Sequence, residues 1–546
     1  YKNMAAIITD QFRILNAETF VKSFTGIGTT TNVYYTFIGL PNSTDTVTGS
    51  GTTDWNTNVP NPKDMFKEQN DYYDTMIALK RINSSDLRRM VRKVIWAAGT
   101  TYDMYKDTYS SSNPAPVTNA TSLYDSNFYI VNSNYKVYIC LNNGMSPDFP
   151  SGKPSIDEPD FTDLEPRAAG TSGDGYIWKY LYTISPSDII KFDSIDYMPV
   201  PSDWGAGQTA EIKNNAINGE IKTVIINNSG AGYQPIGTSF KNVPILGDGN
   251  GGKVTVTVDN SGKVSNVEVT SGGTGYTRGK IQFYPGAPGS EIGGAISGLS
   301  AVGTGTTSVA AFEVIIPPQG GHGFDIYKEL GAYRVLVYSR FETTSSNPDF
   351  IIGNDFARVG MLKNPTVYGS KTQLLTASEV SAVGGVKLKS FTGGNISDTT
   401  YSVDTTITQT TGIGSTAAGI VAAWDNATGV LKYYQPVGLG LSAYGFRVTD
   451  FTDAIGYGGT YIISGASGGS NLGIDTSFGS SANPGTATTI GSGTNTRLVP
   501  LGLRFINGVA PPEVEKYSGE IIYIDNRAAI PRSSTQKEDI KIVLEF

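Results

Sequence analysis

The stretch Tyr517–Phe546 reads Y-S-G-E-I-I-Y-I-D-N-R-A-A-I-P-R-S-S-T-Q-K-E-D-I-K-I-V-L-E-F. It contains two short apolar runs, Glu520–Ile524 and Ile540–Phe546, on either side of a polar segment. Branched side chains recur at mostly every second position in both runs, which is typical of half-buried strands. The stretch therefore predicts two closing strands of a large β core, joined by a loop.

Composition extends this β assignment to most of the chain. Of 546 residues, 65 are glycine and only 16% are charged, which favours a β-rich protein with many tight turns over one built from long amphipathic helices. The length predicts about three or four domains.

Charge and cysteine content narrow the class of protein. A net charge of −8 argues against nucleic acid as a main partner, because a phosphate backbone requires a basic face. The single cysteine, Cys140, excludes an intrachain disulfide, and its apolar surroundings indicate a buried side chain. No apolar run approaches the ~20 residues of a membrane helix, so no membrane insertion is expected. We interpret Met4 as a candidate initiator and expect synthesis in a reducing cytoplasm.

Helical patterns are confined to the first hundred residues. Thr9 is positioned to cap a helix whose apolar residues continue to Phe24 at helical spacing. Asn32–Leu40 is a predicted strand, and Lys63–Ile82 is a predicted second helix. The next segment, Leu87–Trp96, is a predicted helix that carries a dense basic cluster. The cluster consists of Arg88, Arg89, Arg92 and Lys93. We interpret it as a solvated helix face or a salt-bridged contact with an acidic partner, in preference to a phosphate site.

An aromatic strand follows a turn at Asp174-Gly175. Its aromatic positions are Tyr176, Trp178, Tyr180 and Tyr182, and they alternate with Ile177, Lys179 and Leu181. Because side chains alternate across a strand, the four rings are expected on one face. A surface of this kind packs against a second sheet or another subunit.

The composition changes twice along the chain. Residues 205–310 are rich in Gly, Asn, Val and Thr, and contain a repeat in which Gly219–Tyr233 matches Gly262–Tyr276 at an offset of 43 residues. Two copies are too few for a solenoid, so a small inserted β domain is the better interpretation. A second segment, 375–495, is rich in Ser, Thr and Gly. The predicted organisation is one core made of three segments, 1–204, 311–374 and 496–546, which is interrupted by inserted β domains at 205–310 and 375–495.

The residues that could carry chemistry are few. The single histidine, His322, lies in a glycine-rich turn that needs permissive φ angles, which favours a structural role over catalysis. One histidine and one cysteine make a zinc site implausible. The Gly247–Gly252 run resembles a calcium repeat but occurs once, so a hairpin turn is the simpler interpretation. No phosphate loop or dinucleotide motif is present, and no cofactor is expected.

A catalytic pair of carboxylates remains an open alternative, because the chain has 49 aspartate and glutamate residues. A glycan-cleaving β protein would place two acids across a cleft, and Trp55, Trp204 or Trp424 could line it. Nothing in the linear sequence selects a pair.

The predicted core segments resemble a known family at four places. These are Thr9–Arg13, Gly173–Leu181 (G-D-G-Y-I-W-K-Y-L), Phe356–Pro365 (F-A-R-V-G-M-L-K-N-P) and Ser518–Arg527 (S-G-E-I-I-Y-I-D-N-R) with its continuation to Phe546. In order and rough spacing they are similar to the baseplate wedge subunit of T-even-type contractile-tailed bacteriophages. The similarity covers about three-fifths of the chain and leaves out both insertions.

The resemblance implies a mainly β, α+β protein with a layered β-sandwich core, interrupted here by two small β domains. It implies a homodimer that contacts other baseplate wedge proteins in the virion, and no catalytic residues. Possible interface or core positions are the four aromatic residues Tyr176, Trp178, Tyr180 and Tyr182 and the arginines Arg88, Arg89, Arg92 and Arg527. The alternative is a tail-associated glycan-binding or glycan-cleaving protein that uses the insertions; a cell-surface adhesin would be expected to carry a secretion signal.

Overall fold

The described residues fold into two compact units. The computed structural model describes residues 9–24, 32–41, 59–287, 289, 295–300, 309–342, 356–390, 395–412, 415–435, 445–446, 448, 461–528 and 537–546. Unit 1 consists of Tyr1–Phe20, Arg88–Leu336 and Val543–Phe546, and unit 2 consists of Val21–Leu87 and Val337–Ile542. The predicted boundaries of the first insertion lie inside unit 1, and those of the second lie inside unit 2.

Helices are short and few in the described chain. The α-helices are α1 (Asp10–Phe24), α2 (Phe66–Asp74), α3 (Pro186–Phe192), α4 (Ala210–Asn214) and α5 (Ile326–Glu329). Single 3₁₀ turns span Ser84–Asp86, Leu123–Asp125, Gly207–Thr209 and Ile396–Asp398. The helix predicted after Thr9 is confirmed, and the Thr9 hydroxyl accepts a hydrogen bond from the Phe12 amide at 3.4 Å. The described helices include none that is long and apolar enough to cross a membrane.

Strands dominate both units. The first fourteen are β1 (Tyr34–Gly39), β2 (Met76–Arg81), β3 (Leu87–Arg92), β4 (Tyr129–Val131), β5 (Lys136–Asn143), β6 (Tyr176–Thr183), β7 (Tyr197–Pro199), β8 (Val224–Asn228), β9 (Ser239–Pro244), β10 (Leu246–Gly247), β11 (Lys253–Val258), β12 (Val264–Ser271), β13 (Gly279–Lys280) and β14 (Ala311–Val314). The others are β15 (Arg334–Glu342), β16 (Arg358–Lys363), β17 (Glu379–Ser381), β18 (Gly384–Lys389), β19 (Thr406–Gly412), β20 (Ser415–Asp425), β21 (Val430–Tyr434), β22 (Ile462–Ile463), β23 (Leu472–Ile474), β24 (Gly485–Ile490), β25 (Arg497–Phe505), β26 (Val509–Ala510), β27 (Glu520–Asn526) and β28 (Lys537–Glu545). Strands hold 39% of the residues and helices 11%, so the mainly β fold class is confirmed.

Two helix predictions were wrong, and both segments contain strands. The predicted helix Lys63–Ile82 is helical only over α2, and Met76–Arg81 forms β2, which pairs with β1 and β17. The predicted basic helix at Leu87–Trp96 contains β3, which pairs with β7. In short apolar runs the helical and strand periods are hard to separate, and hydrogen bonds to neighbouring strands decide the outcome. The helices α3, α4 and α5 lie beyond the first hundred residues and are too short to show a period.

Unit 2 is built on a five-stranded antiparallel sheet and a barrel-like sheet. The first sheet has the order β17-β2-β1-β16-β27. The second has the order β19-β20-β21-β18-β23-β22, and a bridge between Thr408 and Ser464 brings its two ends together. Side chains from Val386 to Ile474 fill the interior of this nearly closed barrel. The hairpin of β24 and β25 packs a smaller cluster around Phe505.

The closing stretch does contain two strands, but they belong to different sheets. β27 pairs with β16 in the five-stranded sheet, with a bulge at Ile522. β28 lies at one edge of a four-stranded sheet with the order β28-β15-β3-β7. The loop predicted between them, at 529–536, lies outside the described residues.

The described residues of unit 1 form two hydrophobic cores. The first surrounds the sheet β4-β5-β6 and includes the aromatic strand β6. The second runs from Ile221 to Val314 around the sheets β12-β11-β9 and β14-β8. The second core covers the predicted first insertion, and β14 continues it four residues past position 310.

The two repeat copies contact each other reciprocally inside this second core. The Tyr233 amide donates to the Gly262 carbonyl at 3.0 Å, and the Tyr276 amide donates to the Gly219 carbonyl at 3.3 Å. The turn glycines Gly232 and Gly275 have φ angles of 80° and 75°, which explains why glycine occupies both. The tyrosine hydroxyls are equivalent as well, since each accepts from one amide and donates to one carbonyl. The repeat is therefore a pseudo-symmetric pair that shares one core.

Candidate functional site

The single histidine lies in a buried hydrogen-bonded cluster of unit 1. His322 Nδ1 is 2.6 Å from Glu329 Oε1, and the Gly323 amide donates to Glu329 Oε2 at 2.7 Å. The imidazole packs edge-on against Tyr105, with ring centroids 4.8 Å apart. Positive φ angles at the flanking Gly321 and Gly323 confirm the predicted glycine-dependent turn. The contacts fasten this loop to α5, which is a structural role.

Lys179 lies beside this cluster and is buried on β6. Its Nζ donates to the Leu164 carbonyl at 2.9 Å. Burial lowers the pKa of Lys179, and the nearby Glu329 carboxylate opposes that shift. The lysine is thus held by a neutral acceptor in a region where its charge is disfavoured.

The first two basic residues of β3 have partners within unit 1. Arg88 Nε lies 2.9 Å from Asp188 Oδ1, and its guanidinium lies 4.8 Å from the centre of the Phe192 ring. The Arg89 guanidinium lies 3.5 Å from the centre of the Tyr327 ring. Burial lowers the pKa of Arg89. These arginines are packed against the fold rather than displayed on a helix face.

The other two basic residues of the cluster, Arg92 and Lys93, bind the segments that precede β4 and β7. Arg92 Nη2 donates to the Ser126 carbonyl at 2.7 Å, and Lys93 Nζ lies 2.6 Å from Asp193 Oδ2. The acidic partner expected for this cluster is therefore found in the same unit, on α3 and the turn after it.

The four aromatic residues of β6 lie mainly in the core. Tyr176 and Trp178 are fully buried and stack with ring centroids 5.2 Å apart. The Tyr176 hydroxyl accepts from the Tyr102 amide at 2.9 Å and donates to a carbonyl at 2.7 Å. Tyr182 is buried and donates to the Pro199 carbonyl, whereas Tyr180 is half-buried. Three of the four rings therefore stabilise unit 1 from inside. The expectation of four rings on one face was wrong, because register shifts interrupt the alternation and Lys179 and Leu181 are buried as well.

Arg527 lies directly after β27 and is exposed. Its Nε is 2.8 Å from Asp525 Oδ2, and 69% of its side chain is accessible. Its amide donates to the Ala357 carbonyl at 2.7 Å, which continues the ladder between β27 and β16. The side chain is available for contacts outside the unit.

Unit 2 contains a cavity of about 360 Å³ that the linear sequence did not indicate. Its aromatic lining consists of Tyr73, Tyr368, Tyr433, Tyr434 and Phe446. Tyr368 is 52% exposed and Tyr433 is 4% exposed, so the rings extend from the surface into the interior. The lining comes from five separate regions of the chain, which explains why no local motif marks it. Aromatic lining with a few polar groups is typical of ligand pockets.

Part of the cavity lining consists of polar side chains that are held in place by hydrogen bonds and ion pairs. Asp74 Oδ1 lies 2.5 Å from Lys516 Nζ and accepts a hydrogen bond from the Tyr517 hydroxyl at 2.7 Å. Lys516 also donates to the main-chain carbonyl of Gln435. The Tyr73 hydroxyl donates to the Gly519 carbonyl at 3.0 Å, and burial raises the pKa of Tyr73 to about 12. These side chains keep one arrangement because each is held by a partner.

The Tyr433 hydroxyl lacks the hydrogen-bonding partner that the side chains of Asp74, Lys516 and Tyr73 have. Tyr433 lies on β21 inside the barrel, with its ring edge-on to Phe446 at 4.6 Å. Among the described residues its hydroxyl has no hydrogen-bond partner. Burial raises the pKa of Tyr433. Tyr401, in the same barrel, donates to the Ile463 carbonyl at 2.7 Å and accepts from an amide at 3.0 Å. The ring of Tyr433 is buried, but its hydroxyl is not among the buried side-chain atoms that lack a partner, so it opens onto the cavity, where a bound molecule can reach it.

The described residues contain no cluster of three side chains suited to hold a metal ion. Asp248, in the glycine run with the calcium-like pattern, accepts hydrogen bonds from the Thr277 and Arg278 amides. The run joins β10 to β11, which do not pair with each other, so it is a capped turn rather than a hairpin. Cys140 is buried, as the sequence indicated.

Two of the three tryptophans proposed for a glycan cleft, Trp204 and Trp424, are absent from the described lining of the cavity. Trp204 donates to the Gly323 and Phe324 carbonyls in unit 1, and Trp424 donates to the Thr399 carbonyl in the barrel. Trp55 lies outside the described residues. No family model matches the chain, and no curated protein is significantly similar to it.

Proposed function

We propose that this chain is a non-enzymatic structural subunit of the baseplate wedge of a contractile-tailed bacteriophage. It would act in the virion through a homodimer contact and through contacts with other wedge proteins. The similarity of the four core motifs to that family suggests the class, and one feature of the fold supports an assembly role.

That feature is the position of β27 at the edge of its sheet. β27 pairs with β16 on one side, and no described strand pairs with the other side. Its sequence, E-I-I-Y-I-D-N, has high β propensity, and Ile522 is 37% exposed. An accessible edge strand with apolar side chains is a template for pairing with another chain. The bulge at Ile522 shortens the regular edge, so the pairing would be short and would depend on side chains.

The charges of this edge favour a second copy of the same chain. Glu520 begins β27 and Arg527 follows its end, and both are exposed. In an antiparallel pair of identical strands, Glu520 of one copy meets Arg527 of the other, in competition with the Glu520–Lys363 and Arg527–Asp525 pairs inside each copy. An isologous contact of this kind closes a twofold dimer.

Sedimentation velocity of the purified full chain at micromolar concentration tests the proposal. We expect a dimer that Arg527→Glu weakens and the double variant Glu520→Arg/Arg527→Glu restores, because the double variant exchanges the two charges. Ile195→Lys, a change at a 90% exposed residue of unit 1, is the matched control and should leave the dimer intact. A stable monomer, or a dimer that none of the β27 variants affects, would contradict the proposal.

A glycan-binding or glycan-cleaving protein remains the second candidate. The observation that favours it is the aromatic cavity, some of whose lining comes from the predicted insertion 375–495. Incubation with host surface polysaccharide tests the cleaving form of this candidate, since only an enzyme shortens the chains, and retention of the protein on the immobilised polysaccharide tests the binding form.

A further inference from the structure

Five aromatic side chains line the small volume of the cavity in unit 2. Tyr433 and Phe446 form one corner, with their rings at 83° to each other, and Tyr368 lies nearer the surface. The faces of aromatic rings carry partial negative charge and attract weakly positive C–H groups. The volume of about 360 Å³ is at the small end of ligand pockets, which span ~300–1,000 Å³. A compact ring with C–H groups on its faces suits this shape.

The polar groups that line the cavity favour an occupant that forms hydrogen bonds. The Tyr433 hydroxyl has no partner within the described regions of the chain, although the residue is only 4% exposed. By contrast, the lining residues Asp74 and Lys516 pair with each other, and Asp74 also accepts a hydrogen bond from the Tyr517 hydroxyl. A ligand hydroxyl that reached Tyr433 would complete its hydrogen bonding, whereas a hydrocarbon ring would leave it unpaired.

The charge of the cavity disfavours an anion. Asp74 and Glu515 contribute two carboxylates, against the single ammonium of Lys516. That ammonium is already paired with Asp74 at 2.5 Å. Glu515 Oε2 accepts from the Gly369 amide at 2.8 Å, so this carboxylate is fixed in place. An acidic ligand would meet uncompensated negative charge.

We propose that this cavity binds a neutral pyranose ring, stacked on its aromatic lining and hydrogen-bonded to the Tyr433 hydroxyl. The inference rests on the second candidate function, glycan binding at this cavity, and does not depend on the assembly role. Sugar binding and dimer formation are measured separately, so failure of one leaves the other standing.

The test is saturation-transfer NMR on the full chain with methyl β-D-glucopyranoside, methyl β-D-galactopyranoside and N-acetylglucosamine. Glucuronate serves as the anionic comparison and cyclohexanol as a ring with a single hydroxyl. We expect saturable binding of at least one neutral pyranose, and binding about 3- to 10-fold weaker in Tyr433→Phe, since one neutral hydrogen bond is lost. Tyr180→Phe, a half-buried tyrosine of unit 1, should leave the affinity unchanged.

Tyr368→Ala provides a second variant at an exposed position, where the fold is least affected. It should weaken binding of the same sugar, because a stacking face is removed. The proposal is overturned if no pyranose shows saturable binding, or if Tyr433→Phe and Tyr368→Ala both bind as the unmodified protein does. Equal or tighter binding of glucuronate or cyclohexanol would also overturn it.

Discussion

Two aromatic strands, β6 in unit 1 and β21 in unit 2, look alike in sequence but differ in what their tyrosine hydroxyls contact. In β6, Tyr176 and Tyr182 are buried and each hydroxyl is hydrogen-bonded. In β21, Tyr433 is equally buried, yet its hydroxyl has no partner among the described residues and lines a cavity. The buried rings of β6 therefore belong to a closed core, whereas a similarly buried ring of β21 lines a cavity.

The difference shows that burial alone does not separate a core from a site. Folding removes the ring of a tyrosine from water in both cases, and the hydrophobic gain is similar. The distinction lies in the tyrosine hydroxyl: those of Tyr176 and Tyr182 are hydrogen-bonded inside the core, although that core also holds the unpaired Trp178 Nε1, whereas the hydroxyl of Tyr433 opens onto a cavity. Three sets of variants test how the two strands differ, through ring burial, hydroxyl bonding and buried charge.

The largest effect is expected in β6, where Trp178→Ala removes a fully buried ring that stacks on Tyr176. We expect a loss of about 4 kcal/mol in the free energy of unfolding, from lost burial and from the cavity left behind. Urea denaturation followed by circular dichroism measures it. Trp178→Phe is the matched control and should cost far less, because its ring fills most of the space and the buried Trp178 Nε1 has no described partner to lose. A loss below about 1 kcal/mol for Trp178→Ala would show that the stack does not belong to the core.

The next effect compares two tyrosines of one barrel. Tyr401→Phe should destabilise the protein by about 2 kcal/mol, since it leaves the Leu472 amide and the Ile463 carbonyl without their partner. Tyr433→Phe, its matched variant, should be neutral or slightly stabilising in the absence of sugar, because no described partner is lost. Thermal unfolding of both variants gives the comparison. Equal losses in the two would mean that the Tyr433 hydroxyl is already satisfied, and the contrast between the strands would disappear.

The smallest effect concerns Lys432, the residue before Tyr433. Burial lowers the pKa of Lys432 to about 8, with Asp425 opposing the shift. Below pH 8 the lysine is charged in both states, so the folded state bears the full cost of the buried charge. As pH rises from about 8 towards 10.5 the folded state releases its proton first, and stability from this group increases. Lys432→Met should therefore stabilise the protein at pH 7 by roughly 1 kcal/mol, a value reduced because the side chain is only half-buried.

That gain should shrink as the pH approaches 10.5. Thermal unfolding at several pH values measures it, with Lys241→Met on an exposed position of β9 as control. A gain that stays constant between pH 7 and pH 10.5 would contradict the lowered pKa.

The success of sequence reasoning differed between elements for physical reasons. The strands at β1, β6, β27 and β28 were predictable because each is a short run rich in β-branched or aromatic side chains. The segments at β2 and β3 were mistaken for helices because their apolar and basic residues also fit a helical stripe. In the structure, hydrogen bonds to β1 and β17 fix the first as a strand, and pairing with β7 fixes the second. Long-range pairing of this kind leaves no local signal.

Some features of the candidate sites were predictable from the sequence and others were not. The glycine turn at His322 was predictable, because glycine is the residue that tolerates positive φ angles. The partners of Arg88 and Lys93 were not, since Asp188 and Asp193 lie about a hundred residues later in the chain. The cavity was also unforeseeable, because residues as distant as Tyr73 and Lys516 line it together.

The sequence by itself determined that this protein is mainly β, that its single cysteine is buried, and that residues 219–276 contain a repeated strand and turn. These properties follow from alternation, composition and glycine placement, which act over a few residues. Only the tertiary structure decided that the two closing strands enter different sheets, and that Tyr433 keeps an unpaired hydroxyl while Tyr176 and Tyr401 do not. Hydrogen-bond satisfaction depends on groups brought together from distant regions of the chain, so it is settled by folding and not by local sequence.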